Sequence, residues 1–247
     1  MRLTIVGSGD AFGSGGRFNT CFHVATRDRA VLIDCGASTM VALRARAIEP
    51  NSIDAIILTH LHGDHFGGIP FVLLDAQYMS HREGPLTIAG PPGTRERIAA
   101  MMEAAFPSSP KTKWRFPWSV TEIAAGDPVD ILGLTVTSAE VIHYSGAPST
   151  ALRLTDGQTT LAYSGDTEWT DALLPIAAGA DLFIVECFDY ARALSGHLNW
   201  MTVRERLADF AARRVMVTHM NPSVLARLDE VRAAGLMVAE DGLVVDL

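Results

Sequence analysis

Three histidines and an aspartate fall within six residues in the run His60-Leu61-His62-Gly63-Asp64-His65. A lone histidine is usually a hydrogen-bonded core or surface residue. A cluster this dense, flanked by Gly63, Gly67 and Gly68, is hard to justify as packing. Imidazole and carboxylate without thiolate suit zinc, manganese or iron. In an extended segment His60 and His62 point to the same side and can clasp one ion, leaving Asp64 and His65 free to reach a second. The spacing excludes a helical zinc pair of the His-Glu-x-x-His kind. Further along, His143 follows Val141-Ile142, Asp166 lies in Ser164-Gly165-Asp166-Thr167, and His219 lies in Thr218-His219-Met220. Each sits where an apolar run ends, so three more ligands could complete two adjacent sites with one carboxylate bridging. Two ions about 3.5–4 Å apart can hold a shared hydroxide and stabilise both attacking and leaving oxygens.

Loops meet in this way when they leave the same edge of a sheet. Strand-like runs are expected at 2–6, 20–25, 30–34, 54–58, 86–89, 134–141, 150–154, 159–163, 182–186 and 214–218, with a late strand at 236–239 and a terminal run at 242–247. Helical patterns fall near 37–48, 67–80, 94–105, 171–177, 200–212 and 222–234, the last opening at Asn221-Pro222 and stopping near Gly235. Asp156-Gly157 marks a hairpin turn. Continuously apolar strands such as Ala55-Ile56-Ile57-Leu58 and Leu182-Phe183-Ile184-Val185 require both sheet faces to be covered. No internal repeat or low-complexity linker divides the chain, so a single α/β domain over 1–247 is expected.

With 247 residues, the chain can bury a core without disulfides or a structural metal. Its net charge of −8 and lack of any Lys/Arg run argue against gripping a long polyanion. The scattered Lys111, Lys113 and Arg115 read as an exposed loop or lid. Cys21, Cys35 and Cys187 are distant from one another and odd in number, and each reads as a small buried residue rather than part of a disulfide or zinc knuckle. No signal-like start and no apolar run near the roughly 20 residues of a membrane span occur, which makes a cytoplasmic location the expectation.

The run from His60 to His65, followed by Phe66-Gly67-Gly68, is similar to the signature of the metallo-β-lactamase-fold superfamily. His143, Asp166 and His219 match that superfamily's remaining metal positions in order and rough spacing. The opening Leu3-Thr4-Ile5-Val6-Gly7-Ser8-Gly9 and the later Leu32-Ile33-Asp34-Cys35-Gly36 resemble it as well. The resemblance implies a four-layer αβ/βα sandwich, two mixed β-sheets flanked by helices, with the site along one edge. It implies His60, His62 and His143 at a first divalent metal ion and Asp64, His65 and His219 at a second, with Asp166 bridging. Zinc is the first expectation, with manganese and iron as alternatives. The intact second site separates the chain from the β-lactamases, and His62 in place of a glutamate from the di-iron flavoprotein oxidoreductases, which leaves hydrolysis. Glu186 at a strand end, with Ser195-Gly196-His197-Leu198-Asn199 after it, resembles a pattern of the ribonuclease Z group and its phosphodiesterase relatives. There an acidic residue orients a histidine beside the metals.

The catalytic candidates are therefore Asp64, His197 and Glu186. A metal-bridging hydroxide would attack phosphorus, Asp64 would hold or accept a proton, and His197 would aid departure of the leaving oxygen. The plainer role for this stretch is a helix entry, since Asn199 resembles an N-cap. No basic, Gly/Pro-rich arm for tRNA is present, and His143 to Asp166 leaves room only for a hairpin. A small or cyclic phosphodiester is accordingly the expected substrate, long nucleic acid and membrane are not expected partners, and family members are often homodimers. The alternatives are tRNA 3′ processing, a lactonase or thioesterase with Tyr144 as oxyanion donor, and, last, a non-enzymatic metal-binding module. The turn Gly7–Gly13 could offer bare backbone N–H groups to a phosphate. Ser8 and Cys35 lack an adjacent base, and His23 and His81 lack a partner pattern. Trp114, Phe116 and Trp118 are either core or an apolar lip over the site.

Overall fold

The structure, a computed structural model, describes residues 1–247, with Pro110 described by its backbone alone. The first sheet gathers β1 (Arg2–Gly7), β2 (Cys21–Ala25), β3 (Ala30–Ile33), β4 (Ala55–Ile57), β5 (Leu86–Gly90) and β6 (Trp118–Glu122). The second takes β7 (Val129–Ile131), β8 (Leu134–Glu140), β9 (Thr150–Thr155), β10 (Thr160–Tyr163), β11 (Leu182–Glu186), β12 (Val215–Thr218) and β13 (Met237–Val238). The last strand, β14 (Val244–Asp246), returns to the first sheet and pairs with β1, so the orders are β14-β1-β2-β3-β4-β5-β6 and β13-β12-β11-β10-β9-β8-β7. Both sheets are mixed. β3 to β6 run parallel, as do β10 to β13, while the remaining pairs are antiparallel.

Three apolar layers make this a four-layer sandwich. Leu3, Ile5, Phe22 and Ile57 of one sheet meet Leu152, Leu154, Tyr163 and Ile184 of the other. On the outer face of the first sheet lie α1 (Thr39–Ala45), α3 (Ile69–Tyr78) and α4 (Thr94–Ala105), burying Leu43, Leu73 and Ile98. On that of the second lie α5 (Leu173–Ala177), α6 (Trp200–Glu205) and α8 (Leu228–Ala233), burying Ile176, Trp200 and Val231. Strands covered on both faces need apolar side chains throughout, and all five residues of β11 are buried. No helix among the described residues is long and apolar enough to cross a membrane.

The differences from expectation are local. His62 is extended, but Gly63–Phe66 forms a short helix, α2, so Asp64 and His65 leave a helical turn rather than a loop. The stretch expected as helix 200–212 stops at Glu205 and continues as a 3-10 turn over Leu207–Phe210. That expected over 222–234 divides into α7 (Pro222–Leu225) and α8, because Arg227 leaves helical geometry. The segment 107–119 contributes the start of β6, and Trp114, Phe116 and Trp118 pack on the first sheet's outer core, which decides for core over a lip. Two short strands, β6 and β7, were not visible in the pattern.

Candidate metal centre

Loops after β4, β10 and β12, and the chain after β8, converge at one edge of the sandwich. Donor atoms there form three groups, each lying within 4.8 Å: His60, His62 and His143; Asp64, His65, Asp166 and His219; and His143, Asp166 and His197. The first two are the sets expected from sequence. The third brings His197 to the same place. His143 lies three residues beyond the end of β8 and so does not close that strand.

The hydrogen bonds behind the rings fix which nitrogen faces inward. Thr59 Oγ1 donates to Asp34 at 2.8 Å, so it must accept the Nδ1 hydrogen of His60 at 3.1 Å. Thr20 Oγ1 donates to the Gly9 carbonyl at 3.2 Å and accepts from His219 Nδ1 at 3.3 Å. His65 Nδ1 donates to Asp34 at 2.7 Å, and His143 Nδ1 donates to the Gly196 carbonyl at 2.7 Å. The Nε2 atoms of these four imidazoles lie on the side of Asp166, and that of His143 also lies 2.9 Å from His62 Nδ1. The distances to that carboxylate are 3.3 Å from His65 and His219, 3.8 Å from His60 and 4.0 Å from His143. Orienting a ring by its outer N–H is what metal-binding histidines require.

The donor set fits divalent cations. His60 Nε2, His65 Nε2 and Asp166 Oδ1 are buried without a hydrogen-bond partner, an arrangement that costs about 1–3 kcal/mol per group unless a cation satisfies it. Burial drives the His60 pKa well below the usual imidazole value, with His65 adding to the effect. Burial also lowers His219, and lowers His143. At His65 burial acts the same way but the carboxylates of Asp166, Asp64 and Asp34 outweigh it and raise the ring well above its ordinary value. Against their own burial, the surrounding imidazoles hold Asp166 well below the carboxylate range and Asp64 at about 2. Two non-glycine residues in left-handed backbone geometry, Asp34 (φ 58°) and His219 (φ 59°), flank the centre. Such conformations cost roughly 1–3 kcal/mol and cluster where function demands them.

Glu186 ends β11 fully buried and accepts from the Thr167 N–H at 2.6 Å and from His197 Nδ1 at 3.2 Å. Burial pushes Glu186 up to about 7, while its carboxylate holds His197 up at about 9 against that ring's own burial. The proton of the pair thus belongs on the imidazole. His197 Nδ1 is 4.0 Å from Asp166, and the ring lines the cleft with His62, Asp64 and His219. Asn199 does cap α6, accepting from the Thr202 N–H at 2.9 Å, and the helix-entry role coexists with the Glu186 contact.

Several residues at the centre lie outside the site candidates drawn from the sequence. Asp34 follows the apolar end of β3, the rule that singled out Asp166. Glu168 accepts from the Gly196 N–H at 2.8 Å and from Ser195 Oγ at 3.2 Å, holding the loop whose carbonyl orients His143. Several amides of the expected cradle at Gly7–Gly13 are already taken. Ser8 N donates to Asp241, Gly9 N to Phe18, and Phe12 N and Ser14 N to Asp10. Ser8 Oγ donates to Asp241, and burial pushes the Cys35 thiol up to about 12, so neither is a nucleophile. Tyr144 is 81% exposed and lines a hollow together with His143, Ser145 and Ser149. His23 lines a different hollow beside Arg46, and His81 is exposed in a turn.

A family model described as the beta-lactamase superfamily domain matches residues 29–220, a span that includes every donor above. The chain belongs to the beta-lactamase superfamily. It is a metal-dependent hydrolase of that superfamily, and membership implies divalent metal binding. Among relatives, a protein named ribonuclease Z from Mycobacterium sp. (strain KMS) is 29% identical over 192 residues, covering 74% of this chain and 67% of that protein. The probable metallo-hydrolase YhfI of Bacillus subtilis is 25% identical over 228 residues, covering 89% and 87%. Its crystal structure superposes with a TM-score of 0.80 at 23% identity over 99% of each chain. A diphosphatase of the PhnP family superposes with a TM-score of 0.80 at 19% identity, over 100% of this chain and 97% of the other. These likenesses place the sandwich within the superfamily's fold.

Proposed function

We propose that the protein is a two-metal phosphodiesterase of small or cyclic substrates, with residues 1–247 as one hydrolase domain. His60, His62 and His143 would hold one divalent ion and Asp64, His65 and His219 the other, with Asp166 between them. Bound ions would supply Lewis-acid polarisation of a phosphoryl oxygen and lower the pKa of water. Zinc is the proposed metal, manganese and iron being compatible with the same donors. Elemental analysis of protein purified without chelator tests this.

The observation that carries the phosphodiester reading is the Glu186–His197 pair. The buried carboxylate orients a ring that lines the cleft 4.0 Å from Asp166. A proton-bearing imidazole there can stabilise a doubly charged phosphoryl group and protonate the departing oxygen. Acyl transfer has less need of a second cationic donor. In this reading Asp64, held ionised at about 2, would accept a hydrogen bond from the attacking water and hold it. A cleft volume of about 370 Å³ suits a small molecule. Three free buried cysteines are compatible with a reducing compartment, and a cytoplasmic location is part of the proposal.

Bis-p-nitrophenyl phosphate, a cyclic nucleotide and a homoserine lactone, offered in parallel to metal-loaded protein, form the test. Turnover of the phosphodiesters is expected; cleavage of the lactone alone would overturn the reading. A second reading, tRNA 3′ processing, is favoured by the names of the mycobacterial relatives. Against it stand the net charge of −8 and the span from His143 to Asp166, which holds only the β9–β10 hairpin. A precursor tRNA with a 3′ trailer added to the same assay separates the two.

A further inference from the structure

The loop after β1 also carries an aromatic ring into the cleft. After β1 the chain turns around Asp10, whose fully buried carboxylate accepts from Phe12 N at 3.1 Å, Ser14 N at 3.0 Å and Ser14 Oγ at 2.6 Å. Asn19 Nδ2 clamps the Asp10 carbonyl at 3.0 Å. A turn so closely tied still holds Phe12 80% exposed. Single exposed apolar residues are common and need no explanation. Phe12 differs because it is not single. Its ring centroid lies 6.5 Å from that of Phe188, and both rings line the cleft that contains Asp64, Asp166 and His197.

Phe188 in turn rests on the catalytic imidazoles. It lies 4.7 Å from the His197 ring at 31° and 5.9 Å from that of His219. Its position is set by the strand end, two residues past Glu186 at the end of β11, where Phe188 N donates to the Leu198 carbonyl at 3.0 Å. Phe188 thus has one side committed to the site, and Phe12 stands beyond it as an open aromatic face on a braced turn. Pre-ordering of this kind reduces the ordering cost of binding.

We infer that Phe12 and Phe188 form an aromatic subsite that takes a planar ring carried on the substrate's phosphate, the base of a nucleotide or an aryl ester. This rests on the phosphodiester reading and narrows it. A ring stacked on Phe12 sets its attached phosphate over Asp166 and His197. Base–aromatic stacking is sequence-tolerant, since every base has a π-face, so the subsite selects for a ring rather than for one base.

The test is a binding measurement by calorimetry on metal-loaded protein, using AMP, phenyl phosphate and ribose 5-phosphate, with Phe12→Ala and Phe12→Trp as variants. At 80% exposure, Phe12 can be changed with little risk to folding. Wild-type protein should bind one or both ring-bearing ligands roughly tenfold more tightly than ribose 5-phosphate. AMP alone gaining would identify a base, and phenyl phosphate alone an aryl ester. Phe12→Ala should erase that preference and leave ribose 5-phosphate unchanged, while Phe12→Trp should keep it. Equal binding of all three by wild-type protein, no binding of any, or an equal loss for all three in Phe12→Ala would overturn the inference. A Phe12-dependent preference without turnover of any diester would support the subsite and count against the phosphodiesterase reading, so the two fail separately.

Discussion

The carboxylate of Asp34 accepts the Nδ1 hydrogen of His65 at 2.7 Å, joining the end of β3 to α2 behind the donor cluster. The same carboxylate receives Thr59 N–H and Thr59 Oγ1, and through Thr59 it also governs His60. One buried acid thus orients two rings. Asp34→Ala should weaken divalent-metal affinity by about 10- to 100-fold, the range measured when such orienting partners are removed. Competition against a chromogenic chelator reads this directly, and unchanged affinity would refute the orienting role.

Gly196 adopts φ +81°, and a Cβ added there would lie 2.8 Å from His143 Nδ1. Gly196→Ala is expected to displace His143 as well as strain the backbone, at a cost of roughly 1–3 kcal/mol in stability. Glu168→Ala releases the same loop without a clash. Its expected result is a smaller stability loss with a marked fall in turnover, measured by denaturant titration alongside a diester assay. Full activity in both variants would show that the loop does not position His143 or His197.

Chelation should destabilise the folded protein. Carboxylates and lone pairs gathered without intervening cations repel one another, and ligands bound only to the folded state add stability by mass action. At metal concentrations about 100 times Kd this amounts to about 2.7 kcal/mol for each ion, roughly 5–10 °C in Tm per ion for a domain of this size. Thermal melts with and without chelator, followed by metal re-addition, give the check. A midpoint indifferent to both treatments would count against the centre.

Asp189 supplies a pH dependence separate from the donors. It is 2% exposed and accepts from Arg192 N at 2.8 Å, Ala191 N at 3.1 Å and Asn221 Nδ2 at 2.9 Å, tying the loop after β11 to the loop after β12. Burial opposes ionisation, but these hydrogen bonds outweigh it and hold the carboxyl far below its usual range. A depressed folded-state pKa contributes stability above the unfolded value of about 3.9 and loses it as the pH falls toward the folded value. Asp189→Asn should cost about 1–3 kcal/mol at pH 7 and progressively less below about pH 4. A difference that stayed constant down to pH 2 would contradict this origin.

What the sequence disclosed follows from what is local in it. His60, His62, Asp64 and His65 are neighbours along the chain, and His143, Asp166 and His219 each follow an apolar run, so residue type and position sufficed. The orienting groups are not local. Thr20 meets His219 and Gly196 meets His143 only after both sheets have formed, and a backbone carbonyl carries no sequence signature. β6 and β7 carry no clear strand pattern because Trp118–Glu122 follows a proline-broken aromatic stretch and Val129–Ile131 is a three-residue edge strand. The helical run at 63–66 was hidden by its glycine start, since Gly63 has low helix propensity and the turn is held by His65 N and Phe66 N donating to the His62 carbonyl.

β14 lies against β1 with Arg2 opposite Asp246, and Asp241 accepts from Ser8 N at 2.8 Å and Phe18 N at 2.8 Å. The turn bearing Phe12 is thus braced on both sides by a residue that lies more than 200 positions further along the chain. A nascent chain carries the donor run His60–His65 long before it has the partner that steadies that turn. Contacts of such long sequence separation form slowly because loop closure comes first. Aromatic selectivity should therefore be the last property of the site to form, waiting until Asp241 meets Ser8 and Phe18.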